Sequence, residues 1–571
     1  MDRISKSLLE EFCVEHELSR LPEDKQFEHL AGYLTVRRHY AETFDPADIV
    51  TGSGGDTGID AVAIIANNVL LSDSDMVEEL VKINGYLDVV FVFVQADRSS
   101  SFNSSKIANL GFGVRDFFQA TPQLPRNQMI KGAAYIMEEI YRRSSKFVRG
   151  NPSCRLYYVT TGRWQNDQAL EARRIAEVKD LQAIGLFGDV EMFPIGADGI
   201  QRLYNQTKNA ISREFLFQNR TVVPEIAGVR EAHLGFLPAT EFLNIICDED
   251  GDIIKTLFYE NVRDWQNYNE VNSEIKTTLL SEDRDRFVLM NNGITIIART
   301  LQTTANRFMI GDFQVVNGCQ TSHVLFDNKS FLEGVRVPVR LISTQDEGVI
   351  TAIIRATNRQ TEVKGEQFFA LTDFAKNLER FFQAFPTGRQ LYYERRSRQY
   401  DSQAIEKTRI VVHASLVRAF GAMFLGEAHR TTRDFSALVA KVGREMFVDG
   451  DRLEPYYTAA FALYKLEYQF RNQRLDSKYK PARFALLYAA RLLANPSPLP
   501  PRNSREMERY CAQIDSILWE SNKADDLFAS AAQVIEDVAG GKLDTDNVRT
   551  QPFTEAVEKR CREIMQSKNP D

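Results

Sequence analysis

Apolar residues near the start of the chain recur at three-to-four spacing: Leu8, Leu9, Phe12 and Leu18, then Phe27, Leu30 and Leu34. That is the period of an amphipathic helix and predicts helix over 5–42, with Glu28 inside the second run. The pattern then changes. The stretch TGSGGDTGID supplies the glycines of a turn, Ala61 to Ala66 reads as a short apolar strand, and Asn67-Asn68 reads as a hairpin turn into Val69-Leu70-Leu71. Ser74 and Asp75 predict the N-cap of a helix reaching Val81. Leu87 to Gln95 is almost wholly apolar, as in a strand covered on both faces. Helical patterns follow at about 106–118 and 130–143, then a strand at 155–161, a helix through Gln182 and a strand at 190–194. Alternation of this kind predicts one α/β domain.

A second α/β segment spans roughly 207–400, with strands expected at 286–297, 313–316 and 335–342 and a helix at 365–385. From about 405 onward nearly every segment reads as helix. The run Asn495-Pro-Ser-Pro-Leu-Pro-Pro501 is a rigid extended connector ahead of helices expected at about 503–538 and 553–566. The expected domains are 1–205, 206–404 and 405–571, the last containing the proline-rich connector 495–502.

Composition changes this picture little. Hydrophobic residues make up 43% and charged residues 26% of the 571 residues, ordinary values for a globular chain. No apolar run approaches the ~20 residues needed to cross a bilayer, and MDRISKSLLEEF lacks the layout of a signal peptide, so the expectation is a cytoplasmic protein without membrane contact. The six cysteines are scattered with no CxxC pair, which argues against zinc clusters and disulfide frameworks. A net charge of −8 argues against a chain that coats nucleic acid indiscriminately. Between Arg389 and Arg433, however, nine Lys/Arg face four Asp/Glu, which makes that stretch a candidate nucleic-acid contact, with a solvated basic face as the alternative.

The candidate chemistry centres on Asp60, which opens a strand after the glycine-rich turn, and on Gln95, which closes the next long strand. Metal-dependent phosphodiester cleavage needs few ligands, because Mg²⁺ keeps several waters and takes one or two carboxylates. Residues two apart on a strand share a face, so Gln95 and Asp97 point one way and Arg98 the other. This arrangement resembles the PD-(D/E)XK nuclease superfamily in its Gln-x-Lys variant. The resemblance assigns Asp60 to the first-strand aspartate, Gln95 to the second-strand glutamine and Glu28 to the acidic residue of the preceding helix. Asp97 stands where that pattern has lysine. Three accounts of the departure stay open: the lysine role has moved, with Lys106 the nearest candidate; Asp97 is a further metal ligand; or the site is inactive. The hydroxyls of Ser99 to Ser105 suit either phosphate contact or a loop and helix cap.

Three phrases in the second segment place polar residues at the edge of apolar runs: RFVLMNNGITI from Arg286, VVNGCQTSH from Val315, and IIRATNRQT from Ile353. A strand running into a glycine turn and a helix offers free amides to an anion, so Asn317, Gly318, Gln320, Thr321, Asn358 and Arg359 form a candidate phosphate or nucleotide surface, against the alternative of plain polar turns. His323 reads as a helix-packing residue. With YYERR from Tyr392, these phrases look like the AIPR family, named for abortive infection phage resistance, over roughly 220–400. A fainter likeness to the ParB/sulfiredoxin-like fold accompanies them, with Asn317 and Thr321 or Ser322 departing from its Asp-Gly-x-x-Arg turn.

The fold class expected is thus multidomain α/β: a restriction-endonuclease-like core, a central AIPR domain and an all-helical C-terminal domain. The two resemblances imply an antiphage effector, a Mg²⁺-dependent endonuclease (Mn²⁺ being a second choice of ion) acting on DNA and restrained by the AIPR and helical domains. RNA stays open as substrate, as do a nucleotide at the AIPR domain and a homodimer or companion defence protein as partner. The alternative is a catalytically silent nucleic-acid- or nucleotide-binding regulator, which Asp97 favours.

Overall fold

A computed structural model describes the chain except at residues 53–54, 56, 148–149, 166, 209–210, 249–250, 252, 259–269, 283, 359–371, 396–398, 402, 404 and 569–571. The chain divides into two compact units, residues 1–204 with 372–571, and residues 205–371.

In the first unit, α1 (Arg3–Glu15) and α2 (Glu23–Val36) precede β1 (Ala61–Ala66), β2 (Val69–Leu70), α3 (Asp75–Asn84), β3 (Val89–Asp97), α4 (Ser104–Phe117), α5 (Gln128–Arg142), β4 (Ser153–Thr160), α6 (Gln168–Gln182) and β5 (Asp189–Ile195). The strands form one sheet in the order β2-β1-β3-β4-β5. β1 runs antiparallel to β2 and β3, while β3, β4 and β5 are parallel. Period-two alternation sorts the side chains. Val62, Ile64, Phe91 and Phe93 join the core that includes α4 and α5, and Ala61, Ala63, Val90, Val92 and Val94 join the core that includes α1 and α2. Both faces are covered, which is why β1 and β3 read as unbroken apolar runs.

Local details follow from residue type. Asn67 and Asn68 both take positive φ, 49° and 62°, as a two-residue hairpin turn demands and asparagine tolerates. Ser74 makes no side-chain cap to α3. The cap hydrogen bond comes instead from Asp73, whose Oδ1 accepts the Asp75 N–H at 2.8 Å.

The rest of the first unit is mainly helical, with long helices at Glu454–Arg471, Arg483–Ala494, Arg505–Leu518, Ser521–Ala539 and Gln551–Lys568. The helix expected at 503–538 is thus two. A short parallel pair, Tyr392–Glu394 with Ile410–Val412, interrupts the helical pattern. The helix Asp373–Gln383 also lies in this unit, although the sequence pattern groups it with the central segment. The part of that expected helix at 365–371 lies outside the described residues.

Ion pairs join the helical layer to the N-terminal sheet. Arg471, whose side chain is 2% exposed, reaches both Glu17 and Asp45, and Arg37 on α2 pairs with Asp401 at 2.5 Å. Glu394 is buried beside this second pair. Thr43 Oγ1 donates to its Oε2 at 3.3 Å, and its Oε1 has no hydrogen-bond partner among the described residues.

The second unit holds β6 (Ser212–Leu216), β7 (Asn219–Val222), β8 (Glu231–Pro238), β9 (Ile294–Thr304), β10 (Arg307–Asn317) and β11 (Arg336–Ser343) in the order β6-β10-β9-β11-β8-β7. The strand expected at 286–297 begins only at Ile294. Phe287–Met290 is a helical turn, and Gly293, at φ 82°, makes the corner. Leu289 and Met290 are 82% and 68% exposed, so their apolar character does not mark a buried strand.

Burial pushes the Glu394 carboxyl up to about 8, with the charges of Asp401 and Glu42 adding to the rise and Arg37 opposing it. Its folded value exceeds the unfolded one, so the native state keeps a proton that the unfolded chain gives up. Stability therefore falls as pH rises from the ordinary glutamate range towards 8. Glu394→Gln is expected to flatten this decline and raise stability at pH 8 by about 2 kcal/mol while changing little at pH 5. Calorimetric melting at the two pH values checks it, and an equal effect at both would refute it.

Candidate functional site

The antiparallel register sets Ala61 opposite Val94, so the next pair outward is Asp60 and Gln95. The Asp60 N–H donates to Val94 O at 2.8 Å, extending the ladder by one residue. Both side chains continue the Val62 and Phe93 face, and they meet. Gln95 Nε2 donates to Asp60 Oδ2 at 2.7 Å, and the Ala96 N–H donates to the same oxygen at 2.7 Å. An ionised carboxylate only accepts, which orients the Gln95 amide with its N–H groups towards Asp60 and its Oε1 away.

The segment before the turn is held to β1 as well. The Thr51 N–H donates to Asp60 O at 2.9 Å, and Thr51 Oγ1 donates to Ile59 O at 2.6 Å. Across the turn, α4 approaches closely. A Cβ at Gly113 would lie 2.0 Å from Thr57 O, and one at Gly58 would lie 3.5 Å from Asn109 O. Only glycine at 113 admits this contact.

Glu28 projects from α2, where Lys25 Nζ reaches both of its carboxylate oxygens at 2.8 Å and also Gly52 O at 3.1 Å. Burial pushes the Glu28 carboxyl up to about 7; Lys25 opposes the rise, and the charge of Asp60 adds to it. Asp60 and Glu28 are thus electrostatic neighbours, with a cation already between Glu28 and the turn. The groups here able to hold a cation are the oxygens of Asp60 and Glu28 and the amide oxygen of Gln95, an all-oxygen set. Among the described residues no three His, Cys, Asp or Glu side chains cluster as metal ligands.

The other expected members stand differently. Asp97 shares the Gln95 face but turns towards β4, where its Oδ1 accepts the Ser99 N–H at 3.1 Å and its charge helps raise the buried Tyr158 hydroxyl to about 12, after burial itself. Ser99 also bonds within this corner, with Thr160 Oγ1 donating to Ser99 O at 2.6 Å. Arg98 points to the opposite side and pairs with Glu23 of α2 at 3.3 Å. Lys106 lies on the α4 face that carries Asn109 and Gly113, the face turned to Thr57 and Gly58, and its side chain makes no hydrogen bond or ion pair among the described residues. Lys25 is the member that sequence reasoning missed. Its signal was its place three residues before Glu28, one helical turn away.

In the second unit the three polar phrases converge. Asn291 Nδ2 donates to Thr321 Oγ1 at 2.9 Å, and Asn317 Nδ2 donates to Thr357 O at 2.8 Å, closing the end of the helix Glu347–Asn358. Gly318 takes φ 98° beneath Ile294 and starts the helix Cys319–Asp327, which Gln320 and Thr321 continue. His323 is buried, with its ring 5.4 Å from that of Phe258. The Asn358 side chain and Arg359 lie outside the described residues. The basic stretch 389–433 is largely occupied within its own unit. Arg389 stacks on Trp519, Arg418 on Phe435, Arg395 pairs with Glu379, and the buried Lys407 ammonium donates to the carbonyls of Tyr400, Asp401 and Gln403.

Residues 258–515 match the AIPR protein family model. The AIPR match starts in the second unit and ends in the helical layer of the first, and it excludes Asp60, Gln95, Glu28 and Lys25. No curated protein and no solved structure matches the chain. Among the described residues no helix is long and apolar enough to cross a membrane.

Gly113→Ala tests whether the turn before Asp60 depends on this approach. The added methyl meets backbone, which cannot swing aside as a side chain end can, so a loss of about 3 kcal/mol is expected. Urea melts of Gly113→Ala beside Gly132→Ala, where a Cβ meets nothing within 4 Å, measure it; equal melts for the two variants would refute the close contact.

Proposed function

We propose that the chain is an antiphage effector of the abortive-infection type whose N-terminal sheet carries a metal-dependent endonuclease site for DNA. The observation that carries this reading is the meeting of Asp60 and Gln95 across β1 and β3, with Glu28 and Lys25 beside them. Asp60 and Glu28 would hold Mg²⁺ or Mn²⁺, with the Gln95 amide positioning Asp60, which suits an ion that binds through few carboxylates and keeps its waters. Such an ion, when bound, activates water and offsets charge on a phosphate.

The protein's own groups do the rest. Two donors on Asp60 Oδ2 fix that carboxylate in place. Lys25 offsets the repulsion between Asp60 and Glu28, and its ammonium is assigned the role of the lysine absent at 97. Asp97 is spoken for by Ser99 and Tyr158, which favours a loop-anchoring role over metal binding. The AIPR match supports the antiphage setting, and the AIPR region is assigned the restraint that such an effector needs.

A second reading, a silent binding regulator, is favoured by the clasp of Lys25 on both Glu28 oxygens. Incubation of the full chain with plasmid and linear DNA, in Mg²⁺, Mn²⁺ or EDTA, separates the two. Cutting that EDTA stops is expected, with losses of about 100-fold or more for Asp60→Ala and Lys25→Met. Asp97→Lys should bring no gain, because it breaks a loop anchor. Binding without cutting, or a gain of cutting in Asp97→Lys, would favour the silent regulator.

A further inference from the structure

One backbone segment, residues 45–52, connects the helical layer to the candidate site. At its start Asp45 meets Arg471, which also holds Glu17 at 2.8 Å. Lys480 Nζ donates to Ala47 O at 3.0 Å and lies 3.6 Å from Asp48. Arg483 Nη2 donates to Asp48 Oδ1 at 3.2 Å and its other nitrogen pairs with Glu467 at 3.3 Å. Three cations from the helices around 471–483 thus grip three of the four residues 45–48 of the N-terminal domain. Asp45 in turn accepts the Ala47 N–H at 2.9 Å, which locks the single turn Pro46–Asp48.

The other end of the same segment is the site. The Val62 N–H donates to Ile49 O at 2.9 Å, Val50 bridges Ala61, Thr51 bonds Asp60 through backbone and hydroxyl, and Gly52 O receives Lys25. Ile49 follows the gripped turn directly, so the backbone that pairs with β1 begins one residue after the anchor. α2, which carries Lys25 and Glu28, is held by the same layer through the Arg37 pair with Asp401. Both backbone elements that flank Asp60 on this side are therefore anchored outside the sheet.

We propose that Arg471, Lys480 and Arg483 are positioning residues for the Asp60 site, so that the site is competent only while the helical layer grips residues 45–48. This rests on the phosphodiesterase reading of Asp60, Glu28 and Lys25. It assigns the helical layer a specific means of control: release of the grip frees residues 49–52, which hold Asp60 and Lys25 from the edge of β1 away from β3. All three cations lie within the AIPR match, so the matched region touches, through side chains of its own, the segment that leads to the site.

The test uses the full chain and the double variant Lys480→Met/Arg483→Met, with Arg483→Lys as the conservative control. Mn²⁺ affinity, kcat and KM on DNA, melting temperature and hydrogen exchange are measured. The double variant is expected to lose about tenfold in kcat and in Mn²⁺ affinity with KM little changed, as a misplacement of the site predicts. Exchange should rise in peptides covering 45–62 and stay unchanged in those covering 107–117; Arg483→Lys should restore most of the loss. A lower melting temperature with unchanged kcat, Mn²⁺ affinity and exchange would overturn the proposal and leave the layer a scaffold. If the unaltered chain neither binds Mn²⁺ nor cuts, the phosphodiesterase reading falls. Raised exchange at 45–62 in the double variant would still support the grip, and unchanged exchange would overturn it too.

Discussion

The register between β1 and β3 is the constraint on which the candidate site depends. With Ala61 opposite Val94, Asp60 and Gln95 must emerge side by side, and a slip of one residue would send one of them into the opposite core. Burial on both faces makes such a slip costly, since Phe91, Phe93, Val92 and Val94 are all fully enclosed. The polar pair at the end of the ladder is thus held in place by apolar residues that take no part in its chemistry. The Ala96 N–H completes the arrangement, because a backbone donor cannot rotate away from Asp60 as a side chain can.

Much of this core was legible because its signals are local. The bounds 61–66, the asparagine hairpin and the long apolar run towards Gln95 follow from period, turn chemistry and two-sided burial. The meeting of Asp60 with Gln95 could be anticipated as well, since adjacent antiparallel strands leave few registers. The contact of Lys25 with the turn and the role of Asp97 were less legible, because Gly52 and Tyr158 are distant in the chain, although the spacing of Lys25 from Glu28 is itself a local signal. The same holds for Phe287–Met290, where four apolar residues mimic a strand until Gly293 turns the chain.

Charge teaches a related lesson about reading composition as surface. The basic excess at 389–433 looks like a binding face in the sequence, yet Arg389, Arg395, Lys407 and Arg418 are engaged with rings, a carboxylate and carbonyls of their own unit. Arginine serves here as a planar filler between aromatic rings as much as a charge. Counting charges along a stretch cannot separate these uses.

The placement of buried charge also bears on how the helical layer is held to the sheet. Ion pairs enclosed in protein gain little net stability, because desolvation offsets much of their attraction, whereas breaking one leaves an uncompensated charge. Arg471 between Glu17 and Asp45, and Arg37 against Asp401, are such pairs, and both join the helical layer to the domain that bears Asp60. A hydrophobic seam would hold these parts together over a continuous range of small displacements. A charged seam permits one register and penalises every other, so it suits a contact that must be either made or released. The carboxyl of Glu394 sits beside the Arg37 pair with an oxygen that has no hydrogen-bond partner among the described residues, and Arg471 Nε is likewise without one, so neither end is fully satisfied and each charge depends on its one counter-charge to stay buried.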